Sequence, residues 1–366
     1  MSEKRSEEMI FIRVIACLSI VLLHSIEEFR KRVSDIDNYK TLAETIVVIL
    51  KFGTPAFVFI SIFLLAYNYK KSLPVGFFQK RIKYILIPYV SMAFFFGIVF
   101  HIYGTENRSV KSYTFHNLFY GGYHGYFLLI IFQFFALYWL WTKYPIGYKK
   151  LLSFSFLINI LYLAVFNLVD SPKFTPFLDI SGDLLWYRLS WIPFPGWLAY
   201  FAVAVWMGNN YEQIQRFLVS HKIAVLTAPI ITGALVACLY NFDVITLNSS
   251  KRIDMIPFTL SMILALLYLF KDRKASRIWL VINNYSFSIY FLHVFYVVVL
   301  TDLCARFKIT NFTIIAALFV ASTVLSIWSS WLLNKFSFGK YIVGRVNTIK
   351  SKKSNRKITR TSYESA

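Results

Sequence analysis

Residues 9–26 read MIFIRVIACLSIVLLHSI, an apolar run of about the length that crosses ~30 Å of hydrocarbon as one helix. Two ionisable side chains interrupt it, Arg13 and His24, eleven residues apart. At ~100° and ~1.5 Å per residue they differ by roughly 20° around the helix and lie about 16 Å apart along it, so one face carries both. Ionisable groups are costly in a membrane and are retained where they face a protein interior or a water-filled path. The preceding MSEKRSEE is net acidic, and no small-residue cleavage site comes before Glu27 and Glu28. The run therefore reads as a retained first helix rather than a signal peptide.

Nine further runs of similar character follow, giving ten expected spans near 9–26, 44–67, 84–103, 124–142, 151–168, 194–210, 222–240, 254–270, 285–303 and 313–334. Over 366 residues the chain is 57% hydrophobic and 16% charged, with a mean hydropathy of +0.56. That balance fits an all-α, polytopic membrane bundle and excludes an ordinary soluble domain. The net charge of +21 sits in the gaps between spans, with no basic segment interleaved with aromatics as a nucleic-acid module requires, so nucleic acid is not expected as a partner. Lys and Arg are roughly twice as frequent on the side holding both termini as on the other, which predicts cytoplasmic N and C termini in a multi-pass protein of the cell membrane. The longer gaps, 104–124 and 169–193, have room for interfacial or re-entrant pieces. The chain divides into a transmembrane domain, 1–344, and a basic tail, 345–366, expected to be disordered against anionic lipid. Cys17, Cys238 and Cys304 occur singly, so neither a disulfide framework nor a metal site is expected.

Several polar residues could carry chemistry. His24 has Glu27 and Glu28 three and four residues onward, where a carboxylate could orient its ring for general-base work; a helix-end histidine with a snorkelling arginine is the competing account. His293, in NNYSFSIYFLHVF, falls near the membrane middle, either as part of a polar path with Tyr290 and Ser286 or satisfied locally by Ser286, Ser288 and Tyr290. Lys51 either holds an anionic group or snorkels outward. Arg81 and Lys83, in KKSLPVGFFQKRIKYILIPY, would suit a phosphorylated cytoplasmic donor, though topology alone also asks for such a cluster. GGYHGYFLLIIFQFF brings His124, Tyr123 and Tyr126 toward the outer face, suited to stacking on sugar rings or to an interfacial aromatic belt.

These phrases together resemble the acyltransferase family 3 membrane proteins. The spacing of arginine, ten residues and histidine in the first helix is that family's hallmark, and Arg13 and His24 occupy it. FGTPAFVFIS, QKRIKYILIPY, GYHGYFLL and NYSFSIYFLHVF resemble the family's later phrases in the same order, over residues 9 to about 335. The texture is most similar to the intercellular adhesion protein C-like stand-alone members, associated with poly-N-acetylglucosamine export or O-acylation. Two features depart from the pattern. Tyr84 and Ile85 stand where many members carry a second arginine, which leaves the donor phosphates to Arg81 and Lys83. Tyr126 replaces a common tryptophan, and no hydrolase-like domain is expected after the last span.

The resemblance implies an integral membrane O-acyltransferase that takes an acyl group, acetyl in the first instance, from acyl-CoA to a hydroxyl of an envelope glycan. Acyl-CoA would be a donor substrate, with no bound cofactor. His24 would be the general base and Arg13 would hold a phosphate or the thioester carbonyl. Arg81 and Lys83 would gather the donor phosphates, and His293, Tyr290 and Ser286 would line the path. Glu28, Lys51, His124 and Tyr126 would face the acceptor. The alternatives are an exporter of such a polysaccharide, or a partner of a glycan synthase or export machinery.

Overall fold

The computed structural model describes residues 4–32, 40–104, 108–169, 182–309 and 311–346. Among the described residues fifteen α-helices follow one another without a strand. The first five are α1 (Lys4–Arg32), α2 (Lys40–Leu50), α3 (Gly53–Asn68), α4 (Phe77–Arg81) and α5 (Ile87–Tyr103), with a π-helical turn at Ile82–Leu86 joining the last two. Next come α6 (Val110–Phe119), α7 (Phe127–Lys143), α8 (Tyr148–Leu168), α9 (Gly182–Trp191) and α10 (Leu198–Asn209). The chain continues through α11 (Tyr211–Ser220), α12 (Lys222–Asn241), α13 (Met255–Leu269), α14 (Arg277–Arg306) and α15 (Ile314–Leu333). Among the described residues eight stretches are long and apolar enough to cross a membrane, or nine when a bent pair is counted as one. The bundle is thus all-α and polytopic.

Each of the ten expected apolar runs is helical, but two take forms that hydropathy alone does not show. The run at 194–210 is the second limb of a broken helix, Leu185–Trp191 and Phe194–Asn209, bent by 46°. Pro193 and Pro195 sit at the break, where the missing N–H groups and fixed φ prevent α9 from continuing into α10. The run at 254–270 forms α13, whose 15 residues fall short of the ~20 needed for a full crossing. The longer gaps at 104–124 and 169–193 contain α6 and α9. Of the basic tail, only Arg345 and Val346 belong to the described residues; the rest of that expected segment lies outside them.

α1 is the hub. It packs along α14 and also meets α3, α15 and α2. Close approach to α3 depends on Gly53, where an added Cβ would lie 2.8 Å from the Ala16 carbonyl and 2.9 Å from Ile20 Cγ1. A side chain there would push α1 and α3 apart midway between Arg13 and His24, so this small residue holds the polar face of α1 against its neighbours. By contrast α8 and α12 expose Phe154, Leu161, Ile230 and Ile231, the apolar faces expected of lipid-facing helices.

Candidate functional site

Arg13 and His24 of α1 open into different cavities. His24 lines a cavity of about 630 Å³ at the C-terminal end of α1. Arg13 lines one of about 380 Å³ toward the N-terminal end, and Arg81 lines it too. Tyr290 belongs to the walls of both. Its ring packs edge-on against Phe127 and Phe57, with centroids 4.3 and 6.3 Å away, and its hydroxyl donates to the His124 carbonyl. An aromatic septum therefore separates the histidine end of the path from the arginine end.

At the histidine end, His24 Nδ1 lies 3.6 Å from Glu27 Oε2, and Lys51 Nζ donates to Glu27 Oε1 at 3.1 Å. Glu27 is thus the carboxylate that faces the imidazole, and the anionic group that Lys51 holds is this same carboxylate, at the cavity wall. Glu28 also lines the cavity but turns to Lys31 at 2.7 Å and Arg32 at 3.6 Å. The i+3 carboxylate faces the ring and the i+4 carboxylate turns away from it. His293 is fully buried and lines neither cavity; its ring sits 5.3 Å from that of His24 and 5.4 Å from that of His124. The nearby hydroxyls do not satisfy it. Ser286 donates to the Asn283 carbonyl, Ser288 to the Val343 carbonyl, and the His293 ring bonds the Ile289 carbonyl at 2.8 Å instead.

His124 reaches this cluster because the chain turns sharply before α7. Gly121 has φ +58°, and a Cβ there would meet Tyr126 Cβ at 2.7 Å, so both conformation and space require glycine. The same turn offers the Gly121 carbonyl to Arg188 Nη1 at 2.9 Å. Arg188, Tyr187 and Trp191 of α9 complete the cavity wall. Tyr126 and Trp191 rings are 4.9 Å apart, and Arg188 stacks 5.1 Å over Trp191. The sequence reading missed these three, as well as Asn248 and Ser249 from the loop before α13. A WYRLSW run at a broken span was the available signal, since an arginine among aromatics at membrane depth seldom lacks a role.

At the other end, Arg13 Nη1 donates to Asn283 Oδ1 at 3.3 Å, and Ser286 shares its cavity. A further cavity of about 320 Å³ is lined by Arg13, Arg81, Asn284 and Arg345, among others, which places three guanidiniums around one region. The presence of Arg345 there puts the N-terminal part of α1 and the chain's last described residues at the same end of the bundle. Arg81 is steadied by the rings of Phe77 and Phe135, 4.9 and 5.3 Å from its guanidinium. Lys83 does not join it. Two positions along a helix point to different sides, and Lys83 lies over Tyr84 and Tyr341 at 5.9 and 5.7 Å, facing an open surface.

Residues 7–331 match the model of a family described as an acyltransferase domain. The chain belongs to the acyltransferase 3 family. Among curated relatives of this acyltransferase 3 protein, "Putative membrane-bound acyltransferase YfiQ" of Bacillus subtilis is 35% identical, covering 95% of this chain and 96% of that protein. A "Probable poly-beta-1,6-N-acetyl-D-glucosamine export protein" of Staphylococcus aureus is 28% identical over 92% of this chain and 95% of its own length. One of the same name from Staphylococcus epidermidis is 25% identical over 94% and 96%. No solved structure matches the chain.

Proposed function

We propose that this chain is a membrane O-acyltransferase that moves an acyl group, acetyl in the first instance, from acyl-CoA to a hydroxyl of a cell-envelope glycan. The observation that carries the reading is the pair of cavities meeting at Tyr290, one lined by Arg13 and Arg81 and the other by His24. Guanidiniums suit the donor's phosphates, and a carboxylate-oriented imidazole suits the removal of a hydroxyl proton. An extended pantetheine arm passing the Tyr290 ring would bridge the ~16 Å between them. His24 takes the hydroxyl proton as the oxygen attacks the thioester carbonyl carbon. The C–S bond breaks, and the proton passes to the departing thiolate, leaving an ester and CoA thiol. The Tyr126–Trp191 surface, with polar groups around it, suits a sugar ring. Positive-inside asymmetry assigns the arginine end to the cytoplasm, where acyl-CoA is made.

The export reading draws support from the names of the staphylococcal relatives. The two separate in vesicles of known orientation. Labelled acetyl-CoA supplied to the face bearing the tail should yield labelled oligosaccharide when β-1,6-linked N-acetylglucosamine oligomers are present at the opposite face. Transport of unmodified oligomer with no label transferred would favour export and reject acylation.

A further inference from the structure

Where the π-helical turn at Ile82–Leu86 leads into α5, an open groove of about 590 Å³ is lined by Gln79, Ile82, Lys83, Ile87 and Tyr341. It shares no residue with the cavities of Arg13 and Arg81. Tyr84 lines the arginine side and Tyr341 the groove, their rings stacked 6.2 Å apart. The segment that brings Tyr341 here is fixed to the bundle, since Ser91 donates to the Tyr341 carbonyl at 3.3 Å and Ser288 to the Val343 carbonyl at 2.7 Å.

One end of the groove is cationic. Lys83 Nζ and Lys340 Nζ lie 5.7 and 5.1 Å from the centre of the Tyr341 ring, and flexible four-carbon stems allow both amines to reach one anion. The walls offer them no carboxylate, because residues 51–105 and 303–346 contain no Asp or Glu. The other end is apolar. Ile87, Val90, Phe94 and Ile98 of α5 are between 37% and 55% exposed. At ~100° and ~1.5 Å per residue they fall within about 80° of one another around the helix and span about 16 Å along it. That is the depth of one leaflet, half of the ~30 Å of hydrocarbon. A cationic rim above an apolar strip of this length matches the two ends of one molecule, a phospholipid with an anionic headgroup. A second copy of the chain fits less well, because a twofold axis along the membrane normal would set the same unpaired lysines against each other.

We infer that this groove binds an anionic phospholipid of the leaflet at the arginine end, with its phosphate held by Lys83 and Lys340 and an acyl chain lying along Ile87, Val90, Phe94 and Ile98. Lipid titration of the full-length protein in detergent, followed by native mass spectrometry, tests it. Dioleoylphosphatidylglycerol should bind at least tenfold more tightly than dioleoylphosphatidylcholine. It should also bind at least tenfold more tightly than dihexanoylphosphatidylglycerol, whose chains are too short to cover the strip, and millimolar inorganic phosphate should not displace it. Lys83→Gln combined with Lys340→Gln should weaken dioleoylphosphatidylglycerol roughly 30-fold, the effect of two lysines beside an anionic headgroup, with phosphatidylcholine binding unchanged. Lys149→Gln combined with Lys150→Gln removes the same charge from two exposed lysines at the start of α8 and should leave binding within about twofold. Equal affinity for the two dioleoyl lipids or for the two phosphatidylglycerols, displacement by phosphate, or a dimer in place of bound lipid would overturn the inference. Those wild-type comparisons stand even where a double variant fails to fold, and equal losses in two folded double variants would overturn it as well.

Discussion

Replacing Glu27 by Gln preserves shape and removes the charge that faces His24, so its effect can be worked from the geometry. At 3.6 Å and an effective dielectric constant of about 20, attraction between a carboxylate and an imidazolium is about 4.6 kcal/mol. Lys51, 3.1 Å from the same carboxylate, already draws on that charge. Glu27 and His24 are also 21% and 26% exposed, so water screens part of the remainder. About half is left, ~2 kcal/mol favouring the imidazolium formed as the hydroxyl proton is taken, or roughly 30-fold in kcat. Glu28→Gln is the matched control. Its carboxylate serves Lys31 and Arg32 and does not face the imidazole, so kcat should stay within about twofold. The assay is thiol release from acetyl-CoA with acceptor oligosaccharide in nanodiscs, alongside a thermal unfolding scan to detect instability. Full kcat in Glu27→Gln, or equal losses in both variants, would refute the assignment of Glu27 as the orienting group.

Arg81→Ala should raise KM for acetyl-CoA by roughly 10- to 100-fold, as loss of a charge-assisted phosphate contact worth about 1.5–3 kcal/mol implies, while Lys83→Ala should change it less than about threefold; steady-state kinetics decide. Tyr290→Ala removes the septum between the cavities and should raise acetyl-CoA hydrolysis measured without acceptor, while transfer to the oligosaccharide falls. Lys251 is a buried amine whose Nζ has no hydrogen-bond partner and lies over the Trp197 ring. Burial holds its pKa well below the ordinary lysine value, so between that lowered value and 10.5 the unfolded chain binds the proton that the folded one lacks. Stability therefore rises with pH through this window, by up to about 1.4 kcal/mol per unit. Unfolding scans at pH 7 and 9 should show a rising Tm in wild type and a smaller rise in Lys251→Met.

The transmembrane bundle was legible because twenty-residue apolar runs carry their own signal, and Arg13 with His24 stood out because charge within such a run is rare. Helical arithmetic placed both on one face, and the structure keeps them there. What periodicity could not resolve was the choice between Glu27 and Glu28, since i+3 and i+4 are both neighbours on a helix; packing of Lys51 against Glu27 decides it. The separation of Arg81 from Lys83 was accessible from spacing, yet their shared charge suggested a single cluster. Tyr187, Arg188 and Trp191 were hidden by the bend at Pro193, which turns a segment that reads as a loop into the cavity wall. The role of Tyr290 as the common wall depends on where Phe57 and Phe127 meet it. That is a contact among three distant segments, and no local pattern reveals it.

The proposed transfer depends most on His24 as its base. Purified protein in nanodiscs, given labelled acetyl-CoA and β-1,6-linked N-acetylglucosamine oligomers, should transfer label to the oligosaccharide. His24→Ala, folded and binding acetyl-CoA as wild type does, should lower that transfer at least 100-fold, the contribution expected of a positioned general base. Label transfer at the wild-type rate in His24→Ala would contradict it.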